Sequence, residues 1–484
     1  MPAVPDVPEL FQQPGPQGLA RKLGLLDATT LIVGSMIGSG IFIAPSLMAK
    51  NISAPGLYLG LWVLGGVFTL LGAFSYGELS AMMPHAGGQY VFLRRALGRL
   101  LGFLYGWTLL LVIQSGFCAA VSLAFAKYLG VFVPGLGEGT VLLQLALPAQ
   151  LGTLSISTAQ LCALAVLAFL TWINTRGVEA GAWVQNLFTI LKVGAVLLLV
   201  LLGFALGKGS MRHFSPLWST EVPHPPGAVQ VGFLAALGVA MSKALFSYDA
   251  WNTVTFAAAE VRDPGRNLPR ALVLGTAATT LTYTAAAAVY LYLVPLERMA
   301  TVPENRIAAE AARVLFGEVG TQLVAGAILI STFGCINGMI LGGARVLYAM
   351  ACDRLFFAAA SRTNERQVPH IALVLLGLWS GVLALSGRYD DLLTYTTFAS
   401  LLFNALTVLA LFLLRHRLPD VPRPYRAWGY PVTPALFLII SLLFVVYIVQ
   451  GDPRSSLYGL LLVLLGVPIY VAMARRGAPR PAGH

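Results

Sequence analysis

The residues able to do chemistry are few, and most lie inside apolar runs. LIVGSMIGSGIFIAP (31–45) puts Gly34, Gly38 and Gly40 around the centre of the first such run, with Ser39 between the last two. A glycine costs about 1 kcal/mol relative to alanine in a helix interior. Unwinding within a membrane also frees N–H and C=O groups that lipid cannot satisfy. Such a break persists only where the freed groups line a polar cavity or bind something. Tight packing through the small-xxx-small pair Gly34/Gly38 is the alternative, but Gly38-Ser39-Gly40 exceeds what packing needs. A second cluster, ALFSYDAWNTV (244–254), sets Ser247, Tyr248, Asp249, Trp251 and Asn252 at the middle of the sixth run. A carboxylate there is expensive unless paired or wet. The blander role for Asp249 is to cap a half-helix beginning near Ala250, which itself requires a broken helix.

The chemistry these breaks offer is ligand binding. A half-helix N-terminus carries partial positive charge and free N–H groups, which suit a carboxylate. Unwound carbonyls and a half-helix C-terminus suit a cation. A ligand joining both charges through one carbon is an α-amino acid. Two lysines add to the picture. Lys192 lies in QNLFTILKVGAVLL (185–198), too far from the cytoplasmic end of its run to snorkel easily, so its ammonium needs a partner. Lys243 lies one turn ahead of the second cluster. Its simplest reading is a lysine facing an external, water-filled vestibule; the sharper one pairs it with Asp249 or with acidic substrates. Reaction chemistry has little support. There is no HExxH, no pair of intramembrane aspartates and no Ser/His constellation, and the glycines do not follow a soluble strand as a dinucleotide fingerprint would. The six histidines all sit in loops or at segment ends, which argues against a histidine proton relay. None of the four cysteines has CxxC spacing, so neither a zinc site nor a disulfide framework is indicated. No cofactor is expected.

These residues need apolar elements to hold them. The chain has 484 residues, 57% hydrophobic and 11% charged, against about 25% charged in soluble proteins. Twelve runs are long enough to span a bilayer: 28–50, 56–82, 99–129, 156–175, 181–207, 232–258, 269–295, 319–352, 369–386, 389–415, 431–450 and 456–473. With the N-terminus inside, 19 Lys and Arg fall on the inner side and 9 on the outer. That asymmetry places both termini in the cytoplasm. It also explains the net charge of +11 without nucleic acid. The first 20 residues are Pro-rich and polar with no apolar signal segment, and read as a disordered tail. Residues 84–98 read as an amphipathic helix on the cytoplasmic surface, and 303–316 as a short external helix. No soluble domain is expected.

Breaks in spans 1 and 6 divide the chain into two five-helix repeats of opposite topology, because paired interruptions at corresponding positions mark a transporter site. The expected organisation is a cytoplasmic tail (1–22), a first repeat (23–207), a second repeat (232–415), two further helices (431–473) and a cytoplasmic tail (474–484). The fold class is an all-α membrane protein.

Four stretches carry a family likeness: GSMIGSGIF (34–42), PHAGGQYVFLRRALG (84–98), FSYDAWNTVTFAAAEVRDPGRNLPRAL (246–272) and FGCINGMILGGARVLYAMACDR (333–354). They resemble the amino acid–polyamine–organocation superfamily, which shares the five-plus-five inverted repeat of the sodium-coupled leucine transporters, and within it the bacterial relatives of the L-type amino acid transporters. The resemblance implies that amides around Gly38, Ser39 and Gly40 bind a substrate α-carboxylate. It implies that carbonyls near Met36 and Ile37, and those of Phe246 and Asp249, receive the α-amino group. Phe246 matches an aromatic that closes over substrate from outside, with Ser247 beside it, and Asn252 matches a polar residue next to the site. Lys192 matches a lysine standing where sodium sits in ion-coupled relatives and would bridge spans 1 and 8. Lys243 departs from the family, which has a small or apolar residue there. Glu260 stands in AAE, where the family usually has Glu or Gly immediately before the acid.

The expected activity is therefore sodium-independent movement of small neutral L-amino acids across the cell membrane by alternating access, through exchange or proton coupling. The alternatives are a transport-inactive amino acid sensor, or a polyamine or cationic amino acid transporter. Spans 3, 8 and 10 would wall the site, with Ser331 and Thr332 of span 8 as candidate lining residues. Glu78, Glu260 and Arg345 read as inner-side partners or structural ion pairs. L-type transporters bond to a heavy chain through a cysteine between spans 3 and 4. Residues 130–155 contain none, so no disulfide-linked heavy chain is expected; the expected partners are an amino acid and membrane lipid.

Overall fold

Residues 25–49 form two helices, α1 (Leu25–Met36) and α2 (Gly40–Ala49), in a computed structural model of the chain. The model describes residues 21, 23–137, 139–146, 153–176, 181–221, 232–366, 368–386 and 389–477. The expected N-terminal tail lies outside these residues apart from Arg21. The last helix runs to Gly477, past the expected start of the C-terminal tail at 474.

After α2 come α3 (Pro55–Met82), α4 (Gln89–Leu97), α5 (Arg99–Thr108), a π-helical turn (Leu109–Ile113) and α6 (Gln114–Leu129). A hairpin of β1 (Val141–Ala146) and β2 (Thr153–Ser157) leads to α7 (Thr158–Thr175) and α8 (Gly181–Ala205). The chain continues through α9 (Phe233–Tyr248), a 3-10 segment (Thr253–Glu260), α10 (Pro264–Leu293), α11 (Leu296–Ala300), α12 (Ile307–Cys352), α13 (His370–Ser386), α14 (Tyr389–Arg417), α15 (Val432–Gly451), α16 (Pro453–Leu464) and α17 (Gly466–Gly477). Among the described residues, ten helices are long and apolar enough to cross a membrane, taking α1 with α2, α5 with α6 and α16 with α17 as single crossings. Two more expected spans are shorter: α9 has 16 residues and α13 has 17.

The all-α fold class holds, with one short hairpin between helices: β1 and β2 pair antiparallel, Leu143 opposite Ile156 and Leu145 opposite Leu154. The alternating TLSIS of β2 suits a strand, and the hairpin lies between spans 3 and 4. The short helix expected at 303–316 is present, as a 3-10 turn at Pro303–Asn305 and a helix from Ile307 up to a kink at Gly317 (φ 66), beyond which α12 continues as span 8. The segment 84–98 is not a surface helix. In α4, Gln89, Tyr90, Val91, Phe92, Leu93 and Ala96 are all buried. Gly87 and Gly88 turn the chain inward with φ of 103 and 44, conformations glycine adopts at least strain. The Gly87 N–H donates to Phe256 O of the 3-10 segment at 3.3 Å.

The start of span 1 lies beside the end of span 6. Leu23, just ahead of α1, forms a parallel bridge with Val261, just past the 3-10 segment, with Leu23 N–H donating to Glu260 O at 3.0 Å and Arg262 N–H to Leu23 O at 2.8 Å. The predicted structural ion pairs are present on this side. Glu78 is fully buried and takes Arg415 through both oxygens, at 2.9 and 2.6 Å, plus Arg423 at 3.2 Å and the Ala427 N–H at 2.7 Å. Glu260 pairs with Arg345 at 3.0 Å.

Candidate functional site

The first break is a tight turn. Ile37 has φ −75 and ψ 81, and the Gly38 N–H donates to Met36 O at 2.8 Å, which is an inverse γ-turn. The Phe42 N–H then donates to Ser39 O at 3.1 Å. The amides of Gly40 and Ile41 open the first turn of α2, where an α-helix lacks internal acceptors. Packing and unwinding coexist here. A Cβ on Gly38 would stand 2.9 Å from Cys335 Sγ, and one on Gly40 would strike the side chain and Cα of Ser247. The glycines let α12 and α9 approach the broken backbone directly.

The second break faces the first. α9 ends at Tyr248, and Asp249 is extended at φ −65, ψ 175. Ala250 comes next, at φ 66. The expected half-helix beginning near Ala250 does not form: the chain turns and resumes as a 3-10 segment at Thr253. Asp249 therefore caps no new α-helix. Its Oδ1 accepts the local Ala250 N–H at 2.7 Å, while its own N–H closes α9 onto Phe246 O at 3.2 Å. Positive φ at a non-glycine is a sparsely used conformation and is held here by neighbours on both sides, including a Thr253 hydroxyl bonded to Ala250 O.

Around the breaks, the predicted residues divide. Met36, Ile37, Gly38, Ser39, Gly40, Phe246, Ser247, Asp249 and Asn252 converge on one buried region. Ser331 joins them, its hydroxyl 3.4 Å from Ile37 O, and Cys335 Sγ lies 3.5 Å from Ser35 O. Thr332 does not, since its hydroxyl bonds back to Ile328 O at 2.8 Å within its own helix. Lys192 is buried and donates to Gly34 O. It also lines a small cavity with Phe42 of α2 and Val324, Ala327 and Ile328 of α12, so it stands between spans 1 and 8. Lys243 contradicts the vestibule reading: it is 2% exposed and donates to Thr394 Oγ1 of α14 at 2.8 Å.

The sequence does not single out several other contributors. A cavity of about 20 Å³, room for one water, is lined by Asp249 and Asn252 together with Gln89, Gln114, Phe117 and Ser400. Phe117 stacks on Phe246 with ring centroids 4.5 Å apart. Gln114 lies just past the π-helical turn of span 3 and donates to Met339 O at 2.7 Å. Asn252 donates to Gln89 Oε1 at 2.9 Å, and Gln89 donates to Thr407 Oγ1 at 3.0 Å. Gln114 and Ser400 are polar residues inside apolar runs, which is signal enough to nominate them. Gln89 carries no such signal, because its segment reads as a surface helix.

These features define a polytopic helical membrane protein whose polar centre lies between two broken helices. The chain belongs to the amino acid permease family, which it matches over residues 23–473; it is a membrane transporter and not an enzyme. It is 30% identical over 471 residues to the mouse protein named large neutral amino acids transporter small subunit 2, covering 96% of this chain and 83% of the relative. It is 28% identical over 460 residues to the mouse b(0,+)-type amino acid transporter 1, covering 93% and 88%. It is 30% identical over 457 residues to the mouse Asc-type amino acid transporter 1, covering 93% and 81%.

Proposed function

We propose that the chain carries small neutral L-amino acids across the cell membrane by alternating access, through sodium-independent exchange or proton-coupled uptake. The observation that carries this reading is the pair of facing breaks. The first turn of α2 offers amides for the α-carboxylate, and the ends of α1 and α9 offer carbonyls for the α-amino group. Gly38, Ser39 and Gly40 take the first role. Met36, Ile37, Phe246 and Asp249 take the second, with Ser247, Asn252 and Ser331 beside them. Lys192 occupies the place of a coupling cation, tying span 5 to span 1. The relative named for large neutral amino acids supports the neutral class.

The same reading takes the chain as twelve spans with both termini cytoplasmic: an inverted repeat of 23–207 and 232–415, with 431–473 after it. The start of span 1 beside the end of span 6, and Gly40 against Ser247, support it. One observation favours a second reading. The Asp249 carboxylate lines the cavity next to Gln89, Gln114 and Ser400, and it would accept a cationic side chain. A thermal-shift screen of the twenty amino acids plus polyamines on purified protein separates the two. Stabilisation by alanine, serine or similar substrates supports the first. Stabilisation by lysine, arginine or polyamines alone replaces it with the second, and no response to any of them removes both.

A further inference from the structure

Thr394, Thr396 and Thr397, near the start of α14, reach the two spans that stack Phe117 on Phe246. The Lys243 ammonium of α9 donates to Thr394 Oγ1 at 2.8 Å. The Thr397 hydroxyl donates to Ser242 O of α9 at 3.3 Å, and the Thr396 hydroxyl lies 3.5 Å from Val112 O in the π-helical turn of span 3. Another face of α9 is joined differently. A Cβ on Gly238 of α9 would strike Tyr447 of α15, and one on Gly451 of α15 would strike Val239, so these two helices are in close apolar contact. A close apolar seam parts only by exposing hydrophobic surface. A hydrogen-bonded seam parts by trading each bond for one to water, at small net cost. Of these two faces, the one toward α14 is therefore the one built to open.

We propose that Lys243 is a gating residue: its ammonium latches α14 to α9 across the path between the site and the outer surface, and breaking that contact admits an amino acid. This rests on the transport reading and the membrane sidedness given above. The Lys243 contact has a charged donor, which makes it stronger than the two neutral hydroxyl contacts beside it. Lys243 is 2% exposed, so water does not compete for its ammonium while the seam is shut. A lysine holds the seam when it is dry and releases it when it is wet, which an apolar residue does not do. The latch is tied to the site through one helical turn. Ser247 Oγ donates to Lys243 O at 3.2 Å, and the Ser247 side chain packs directly on Gly40 at the first break. Seating an amino acid at Gly40 and closing the seam at Lys243 thus act on the same turn of α9.

The test reads access to the site from each side of the membrane. Cys335, whose Sγ lies 3.5 Å from Ser35 O beside the first break, is the reporter. In the full-length protein carrying Cys118→Ala, Cys162→Ala and Cys352→Ala, a membrane-impermeant methanethiosulfonate is applied to sealed vesicles of either orientation. Lys243→Met keeps the apolar stem and removes the ammonium. Labelling of Cys335 from outside is expected to rise about tenfold, the equivalent of one charged hydrogen bond, with no rise from inside. Lys243→Arg keeps a charged donor and should label as slowly as the parent. An unchanged outside rate in Lys243→Met overturns the proposal. So does an equal rise from both sides, which marks general loosening. Should Lys243→Met not fold, Thr394→Val removes the acceptor from the α14 side, and the same outside-only rise is expected; no rise there overturns the proposal equally. Uptake reports separately on the transport reading: if the protein with Lys243 intact takes up no amino acid in proteoliposomes, that reading fails, while labelling still reports on the latch.

Discussion

At the scale of single residues, Gly40 and Lys192 carry the most consequence. Gly40 is legible in the sequence as an unwinding site. Its second role is not: it is the point where α2 and α9 touch, and any Cβ collides with Ser247. Gly40→Val adds a β-branched side chain to that contact and restricts the backbone at the carboxylate amides. Uptake reduced to background is expected, and near-normal uptake by this variant in proteoliposomes would sink the assignment of the carboxylate site. Lys192 donates to Gly34 O two residues before α1 ends. A charged hydrogen bond is worth roughly 1.5–3 kcal/mol, so Lys192→Ala should lower turnover by about tenfold or more, read as initial uptake rate. A rate that becomes sodium-dependent would show that an ion can replace the lysine; an unchanged rate would show that the contact is idle. The sequence misleads about Lys243 for a physical reason. It gives depth along a helix, but the face toward Thr394 is decided by how α9 packs on α14.

Among the elements, the broken helices are readable because glycines and a carboxylate inside apolar runs violate local rules. The path of the chain past each break is not. The γ-turn at Ile37 and the 3-10 path after Asp249 depend on partners from elsewhere, among them Ser331 and Gln89. α4 shows the limit most clearly. Its alternation of arginines and aromatics fits a membrane-surface helix and a buried amphipathic helix equally well. The choice is made by Gly87 and Gly88, which turn it inward, and by Arg94 and Tyr90, which meet Asp353 at 2.7 Å each. The Glu78 cluster fixes the inner ends of α3 and α14. Removing one partner of a buried pair is more harmful than never having the pair. Arg415→Ala should therefore destabilise by about 3 kcal/mol, near the low end of such losses because Arg423 and the Ala427 N–H still serve the carboxylate. A clear fall in melting temperature in detergent checks this. An unchanged value would mean that Arg423 alone suffices.

For the whole molecule, composition and loop charge are enough to identify a polytopic membrane protein, and the order of the motifs is enough to place its family. The β1–β2 hairpin between spans 3 and 4 escapes a sequence reading because neighbouring apolar spans drown out short alternating strands. The absence of cysteine between 130 and 155 predicts that a non-reducing gel of native membranes shows the chain without a disulfide-linked partner; a reducible complex at higher mass would contradict that. The central claim is that the two facing breaks form a site that carries amino acids across the membrane. Sodium-free counterflow tests it most directly. Proteoliposomes preloaded with unlabelled amino acid should take up labelled amino acid faster than empty ones, and Gly40→Val should abolish the difference. Intact binding with no uptake in either vesicle would make the protein a sensor and contradict the account.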